Sequence, residues 1–181
     1  SEDVIELMVE LTTTAQRPLN WNALSAGSPA LMENQLSASD RALAQGGDIR
    51  ALTIPQPISI RINLYTGFVF DALEGWADIF ELPIEERIER LKDPAERERL
   101  DASANSGGAF RGLARWSKMK VHATFLDKNK SLEGKTLAEV GDALGKSPFD
   151  AMLDLAIEEG LRTFFMPISG DTDPALWAVR A

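Results

Sequence analysis

Helical and extended patterns alternate over the first third of the chain, and this order constrains the fold more than any single motif. Apolar residues recur at helical spacing over 4–15, and the apolar run "RPLNWNAL" follows at 17–24. A second helical pattern covers 31–43, and "DIRALTIPQPISIRI" at 48–62 is extended because its two prolines are incompatible with a helix interior. The order helix, strand, helix, strand predicts βα units and a parallel sheet.

The rest of the chain mixes short strands with well-marked helix starts. Thr136 and Glu139 form the pattern of a capping box, and Ser147 and Asp93, each followed by a proline, mark two further helix starts. The charges of the helical stretch 84–100, with a predicted Asp93–Arg97 pair, are interpreted as a solvated face. We expect an α/β fold whose two ends form one sheet, with strands near 17–24, 49–62 and 161–167.

Length and composition exclude several classes of protein. The chain has 181 residues, whereas a complete (β/α)₈ barrel typically needs about 250. Its net charge of −9 disfavours nucleic-acid binding, and no stretch approaches the ~18 apolar residues of a membrane span. It contains no cysteine, and its start lacks the pattern of a signal peptide. A cytoplasmic protein that binds neither nucleic acid nor membranes is expected.

The sequence offers few candidates for catalytic or metal-binding residues. The sequence has no Gly-rich phosphate loop, no HExxH and no GxSxG. Its one histidine, His122, lies within a predicted strand beside two lysines, where a structural role competes with a role as a metal ligand. Asp71 and Glu74 lie among aromatic residues, where burial would raise a carboxyl pKa, but a helix cap or a salt bridge is the preferred explanation.

The succession of segments resembles the interior of N-acyl-D-amino-acid deacylases, the D-aminoacylase branch of the amidohydrolase superfamily. The resemblance rests on four stretches, "RPLNWNAL", "GGDIRALTIPQPISIR", "FELPIEERIERLKDPAERERL" and "LEGKTLAEVGDALGKSPFDAMLDLAIEEGL". It implies a zinc-dependent hydrolase on a (β/α)₈ barrel that cleaves the amide bond of N-acyl amino acids. The His-x-His and late aspartate motifs of that family have no counterpart here. The resemblance therefore implies an internal fragment, with zinc held in the full-length protein and no metal ligand or catalytic residue in this chain.

Three residues are predicted to contact substrate. In many relatives a metal-binding histidine ends the strand that "RPLNWNAL" matches, and this chain has asparagine there. Because strands of this fold end at the active site, Asn22 is a candidate for its mouth, the alternative being a hydrogen bond to the loop at Ser25. By the same reasoning Gln56 and Arg61, at the end of the next strand, are candidates to bind the carboxylate or carbonyl of a substrate. Arg61 would clamp a substrate carboxylate or form a plain salt bridge.

These expectations combine into one architecture. Residues 1–66 are predicted to form βα units of a partial barrel, 67–135 an inserted, mostly helical lid, and 136–181 the returning helices and strand. The fragment alone is expected to be inactive and to self-associate through exposed sheet surface. The alternative is a non-catalytic α/β module that binds another protein. Extending the gene in both directions would discriminate between the two.

Overall fold

The computed structural model describes residues 2–22, 29–52, 59–107 and 111–168, which belong to two compact units. The first unit comprises 1–58 and 169–181, and the second is continuous over 59–168. The predicted boundaries at 66/67 and 135/136 both lie inside the second unit. The role of 67–135 as a lid stays a prediction.

The first unit contains two helices and a parallel pair of strands. Helix α1 (Glu2–Ala15) is followed by β1 (Leu19–Asn22), α2 (Pro29–Ala44) and β2 (Ile49–Leu52). The two strands pair in parallel from Leu19 opposite Ile49 to Asn22 opposite Leu52, which confirms the predicted parallel pairing. Its buried apolar cluster consists of Ile5, Val9, Ala38, Ala42 and Ile49.

The second unit is mainly helical. Its helices and strands in the described ranges are α3 (Ala77–Phe80), α4 (Ile84–Lys92), α5 (Pro94–Ser106), β3 (Met119–Ala123), α6 (Leu137–Leu144), α7 (Pro148–Glu158) and β4 (Phe164–Pro167), joined by 3₁₀ turns at 70–72, 111–114, 116–118 and 127–132. Strands β3 and β4 are antiparallel, and Ile62 adds an isolated antiparallel bridge to Phe165. None of the described helices is both long and apolar enough to cross a membrane.

The prediction that both ends of the chain share one sheet is wrong. Strand β4 pairs with β3 and with Ile62, whereas β1 pairs only with β2 among the described strands. The physical reason is burial, because Phe165 and Ile62 both belong to the apolar core of the second unit. Strand β4 therefore forms its hydrogen bonds with antiparallel neighbours within that unit. The described residues form two small sheets and no closed barrel, and the fold is a mixture of helices and strands.

Four aromatic rings surround Trp76 at the centre of the second unit. Their centroids lie 5.6 Å (Phe70), 5.8 Å (Trp116), 6.1 Å (Phe149) and 6.4 Å (Phe80) from that of Trp76. The buried indole N–H donates to the carbonyl of Leu100 at 2.9 Å. Aromatic pairs in these geometries add to the stabilisation that burial of their area provides.

Helix α4 buries one of its charges. The Arg87 guanidinium is enclosed by five main-chain carbonyls, those of Leu64, Tyr65, Ile79, Phe80 and Leu82, at 2.8–3.2 Å. Burial lowers its pKa. The interpretation of the charges of this segment as a solvated face is therefore wrong for Arg87, which donates to buried main-chain carbonyls.

Three predicted helix starts are confirmed. Thr136 and Glu139 form both hydrogen bonds of a capping box, Ser147 accepts from the amide of Asp150, and Asp93 accepts from that of Ala95. The predicted Asp93–Arg97 pair is wrong. The Arg97 side chain instead reaches helix α7, where Asp150 and Asp154 accept from it at 3.1 and 2.7 Å.

Candidate functional site

The β1–β2 pair has one face packed by helices and one face that is open. Leu19 and Trp21 pack against the apolar cluster between the strands and the two helices, whereas Asn20 and Asn22 are exposed on the opposite face. Side chains alternate along a strand, so the Asn-Trp-Asn order is what a strand covered on one side requires. The two asparagines thus lie on the open face, where Leu52, opposite Asn22, is also exposed.

Arg50 belongs to the same open face. It lies opposite Asn20 in the parallel register and is exposed. Its Nε and Nη2 donate to Asp48 Oδ2 at 3.2 and 3.0 Å, and this contact raises the pKa of Arg50. Arg50 was not among the site residues predicted from the sequence. The strand alternation in Asp48-Ile49-Arg50 is the signal that predicts its outward side chain.

Asn22 is the last residue of β1, at the carboxyl end of the parallel pair, as predicted. The alternative, a hydrogen bond to the loop at Ser25, concerns a residue outside the described ranges. Gln56 also lies outside them. The proposed roles of Asn22 and Gln56 in binding substrate therefore stay predictions, and Asn20, Asn22 and Arg50 form the described part of this candidate site.

Arg61 lies in the second unit, next to Ile62, whose amide and carbonyl both bond to Phe165. Ile62 is buried and Arg61 is exposed on the other side of the backbone. Within the described ranges no carboxylate forms an ion pair with Arg61, so the plain salt bridge finds no support there. Its role as a carboxylate clamp stays a prediction.

The zinc that the resemblance implies has no ligand set within the described ranges, where no group of three or more His, Cys, Asp or Glu side chains converges. His122 is half-buried on β3, between Val121 and Ala123, in the second unit. Asp71 and Glu74 are both exposed, so the less favoured alternative, burial against aromatic rings, is wrong. The described residues do not fit a catalytic zinc site, which needs three protein ligands in one geometry.

An open groove of about 570 Å³ lies along helices α5 and α7. Four of the charged groups that line it form ion pairs: Arg97 with Asp150 and Asp154, and Lys146 with Asp154. Burial alone would raise the pKa of Asp154, but hydrogen bonds from Lys146 and Arg97 outweigh it and lower that pKa. The network links helices α5 and α7 through ion pairs. None of the groups in this network is left without a partner and free to bind a ligand.

The most deeply buried carboxylate, Glu159, is also structural. It is 2% exposed and accepts four hydrogen bonds at 2.8–3.1 Å, from the amides of Phe125 and Leu126, from Asn129 and from Thr163. Burial alone would raise its pKa, but these donors outweigh burial and lower it. A carboxylate that is fully bonded in this way anchors the turn after β3 rather than transferring protons.

Comparison of the chain with models of protein families, with curated proteins and with solved structures gives no match.

Proposed function

We propose that the chain is an internal part of a metal-dependent amidohydrolase that hydrolyses the amide bond of N-acyl amino acids. The observation that carries the proposal is the open face of the β1–β2 pair, where Asn20, Asn22 and Arg50 are exposed and Asn22 lies at the carboxyl end. Parallel βα units of enzymes bind their ligands at this end of the strands. The resemblance of the segment order to N-acyl-D-amino-acid deacylases supplies the reaction class.

The role of this chain in that reaction is to bind substrate. Asn20, Asn22 and Arg50 offer amide and guanidinium donors on one surface, and such donors suit the carbonyl and carboxylate oxygens of an N-acyl amino acid. Arg50 is held by Asp48, which reduces the side-chain freedom that binding would otherwise restrict. The described residues do not fit a zinc site. No step of the reaction is assigned to a metal here.

The test uses the complete open reading frame that encodes this chain. Its product should hydrolyse N-acetyl amino acids and lose activity with a chelator, whereas the 181-residue chain alone should be inactive. Asn22→Ala should lower kcat/KM by about 10- to 100-fold, the range for one lost hydrogen bond to a charged group. Asn34→Ala, an exposed asparagine on α2, is the matched control. Absence of hydrolysis by the complete product would refute the proposal.

A second candidate is a non-catalytic module that binds another protein. It is favoured by one specific observation: Val4, Leu7 and Leu11 on α1 are each about half exposed, at 50–53%. Exposed apolar stripes on a helix are typical of interaction surfaces. A complete gene product without hydrolase activity, but with a partner that contacts α1, would select this candidate.

A further inference from the structure

Positive charge is concentrated in one part of an acidic protein. Residues 111–136 contain seven Lys and Arg and two Asp and Glu, whereas the whole chain has a net charge of −9. Two of these lysines are used locally, Lys128 with Glu158 and Lys130 with Glu133. The others are available on the surface around β3.

Strand geometry brings several of them to one side of the second sheet. Met119 and Val121 of β3 face the core, so Lys120 between them lies on the opposite side. The exposed Lys118 directly precedes the strand, and the half-buried His122 lies at the bulge between Val121 and Ala123. Lys120 pairs with Met166 in the β3–β4 register. The bridge between Ile62 and Phe165 then places Arg61 on the far side of Met166, about 10 Å from Lys120 at a strand spacing of about 4.8 Å. We call Arg61, Lys118, Lys120 and His122 the basic face.

The basic face has apolar side chains between its charges and one acid at its margin. Met166 and Phe164 are partly exposed on the same side as Lys120, opposite the buried Phe165. Glu139 is near enough to Lys120 and Lys135 for both to lower its pKa, although the hydrogen bond from the Thr136 amide is the largest cause. Exposed long side chains on a sheet surface suit an extended acidic partner rather than a small anion, which needs a concave site.

Helix α1 has the complementary pattern. Its exposed apolar residues Val4, Leu7 and Leu11 recur at helical spacing, and an exposed acid directly precedes each of them. These acids, Asp3, Glu6 and Glu10, form a second stripe about 100° around the helix. The helix contains no Lys or Arg. It therefore presents an apolar stripe with an acidic border.

We propose that α1 of one copy of this chain docks on the basic face of a second copy. The acidic stripe faces the Lys and Arg side chains, and the apolar stripe covers Met166 and Phe164. The occupant is a second copy because a single sequence supplies both complementary surfaces. A nucleic acid would bind the lysines but would be repelled by the net charge of −9 and would leave the apolar stripe of α1 uncovered. This inference is independent of the proposed enzymatic function.

The test is sedimentation equilibrium of the intact chain over a range of protein and salt concentrations. Self-association should weaken as salt rises, because exposed charge pairs are screened. Lys118→Glu/Lys120→Glu and Glu6→Lys/Glu10→Lys should each weaken it by about tenfold or more, equivalent to about 1.4 kcal/mol. The chain that carries all four substitutions should associate to within about threefold of the original, because the charges are exchanged but still complementary.

The control Glu85→Lys/Glu98→Lys changes the net charge as much as the α1 variant does, but on helices α4 and α5. Apart from the general effect of the altered net charge, which the salt series measures, it should leave self-association unchanged. Circular dichroism and thermal unfolding verify that each variant is folded, which is expected because all substituted residues are partly or fully exposed. A chain that stays monomeric at all concentrations, or a four-residue exchange that fails to restore association, would overturn the proposal.

Discussion

The two compact units differ in how completely they bury their own surfaces. The second unit has an apolar core of 23 buried residues, whereas the described part of the first unit has five. A two-stranded sheet with two helices is too small to enclose much apolar area, so it depends on further contacts for stability. The comparison indicates that the second unit provides the stability and the first unit provides surfaces.

Hydrogen exchange gives the most direct test of this difference. Amides of β3 and β4, such as those of Val121 and Phe165, should exchange only through global unfolding, since they belong to the larger core. The Trp21 amide of β1 should exchange about 100-fold faster, a difference of about 2.7 kcal/mol in opening free energy. Mass spectrometry of peptic fragments measures both. Equal protection in the two units would show that they unfold together.

Trp76 and Trp21, one in each unit, allow a comparison of the two units. Trp76→Ala removes a ring that contacts four others and should lower the free energy of unfolding by about 3–5 kcal/mol. Trp21→Ala should cost about half as much, because Trp21 is only partly buried and its indole N–H is buried without an acceptor in the described ranges. Urea denaturation of both variants checks the order. Trp21→Phe, which removes the unpaired donor, should be close to neutral.

The carbonyl cluster around Arg87 should make α4 sensitive to one charged residue. Arg87→Met keeps the apolar stem but removes the guanidinium donors from five carbonyls, of which that of Ile79 still accepts from the Leu82 amide, so we expect a loss of about 3 kcal/mol in the free energy of unfolding. Arg90→Ala, which removes an exposed arginine of the same helix, should change stability by less than about 0.5 kcal/mol. Chemical denaturation distinguishes the two, and similar losses in both variants would contradict the role given to Arg87.

Glu159 should make the second unit sensitive to acid. Its folded pKa is lowered, so its stabilising contribution is fully present above the unfolded pKa of about 4.3 and is lost as the pH falls through the folded value. Glu159→Gln should cost about 2 kcal/mol at neutral pH, because an amide cannot accept all four hydrogen bonds.

The difference in unfolding free energy between Glu159→Gln and the original chain should shrink below pH 4.3. Denaturation at a series of pH values measures it. A difference that does not change with pH would show that the Glu159 carboxyl titrates alike in the folded and unfolded chains.

The smallest expected effect concerns the start of α6. Thr136→Ala removes one half of the capping box and should lower the free energy of unfolding by about 1 kcal/mol. Thr136→Ser keeps the hydroxyl and should recover most of this loss. Thermal denaturation of the two variants provides the measurement, and equal stability of the Ala and Ser variants would exclude a contribution from the cap.

Local rules predicted the helices and the parallel pair well. The starts of α5, α6 and α7 depend on residues within one turn, and the β1–β2 pairing follows from a short crossover through α2. The sequence failed where partners are distant along the chain. Pairing of β4 with Ile62 and the contacts of Arg97 with α7 join residues about 50 to 100 positions apart, and neither composition nor periodicity encodes such contacts.

The candidate site was predictable in part for the same reason. The position of Asn22 at a strand end is local information, whereas the exposure of Arg50 beside Asn20 depends on the register of two strands. The burial of Arg87 was missed because a charged residue on an amphipathic helix is usually solvated, and two of the carbonyls that accept from it, those of Leu64 and Tyr65, lie more than 20 residues earlier in the chain.

The bridge between Ile62 and Phe165 has a consequence for how this protein can change over evolution. It places Ile62, near the start of the second unit, beside strand β4 at the end of that unit, so the chain enters and leaves it at adjacent points. A segment with neighbouring ends can be gained, lost or exchanged within a host protein without displacing the flanking backbone. The continuous segment 59–168 therefore has the geometry of a domain that recombination can move between proteins as a single piece.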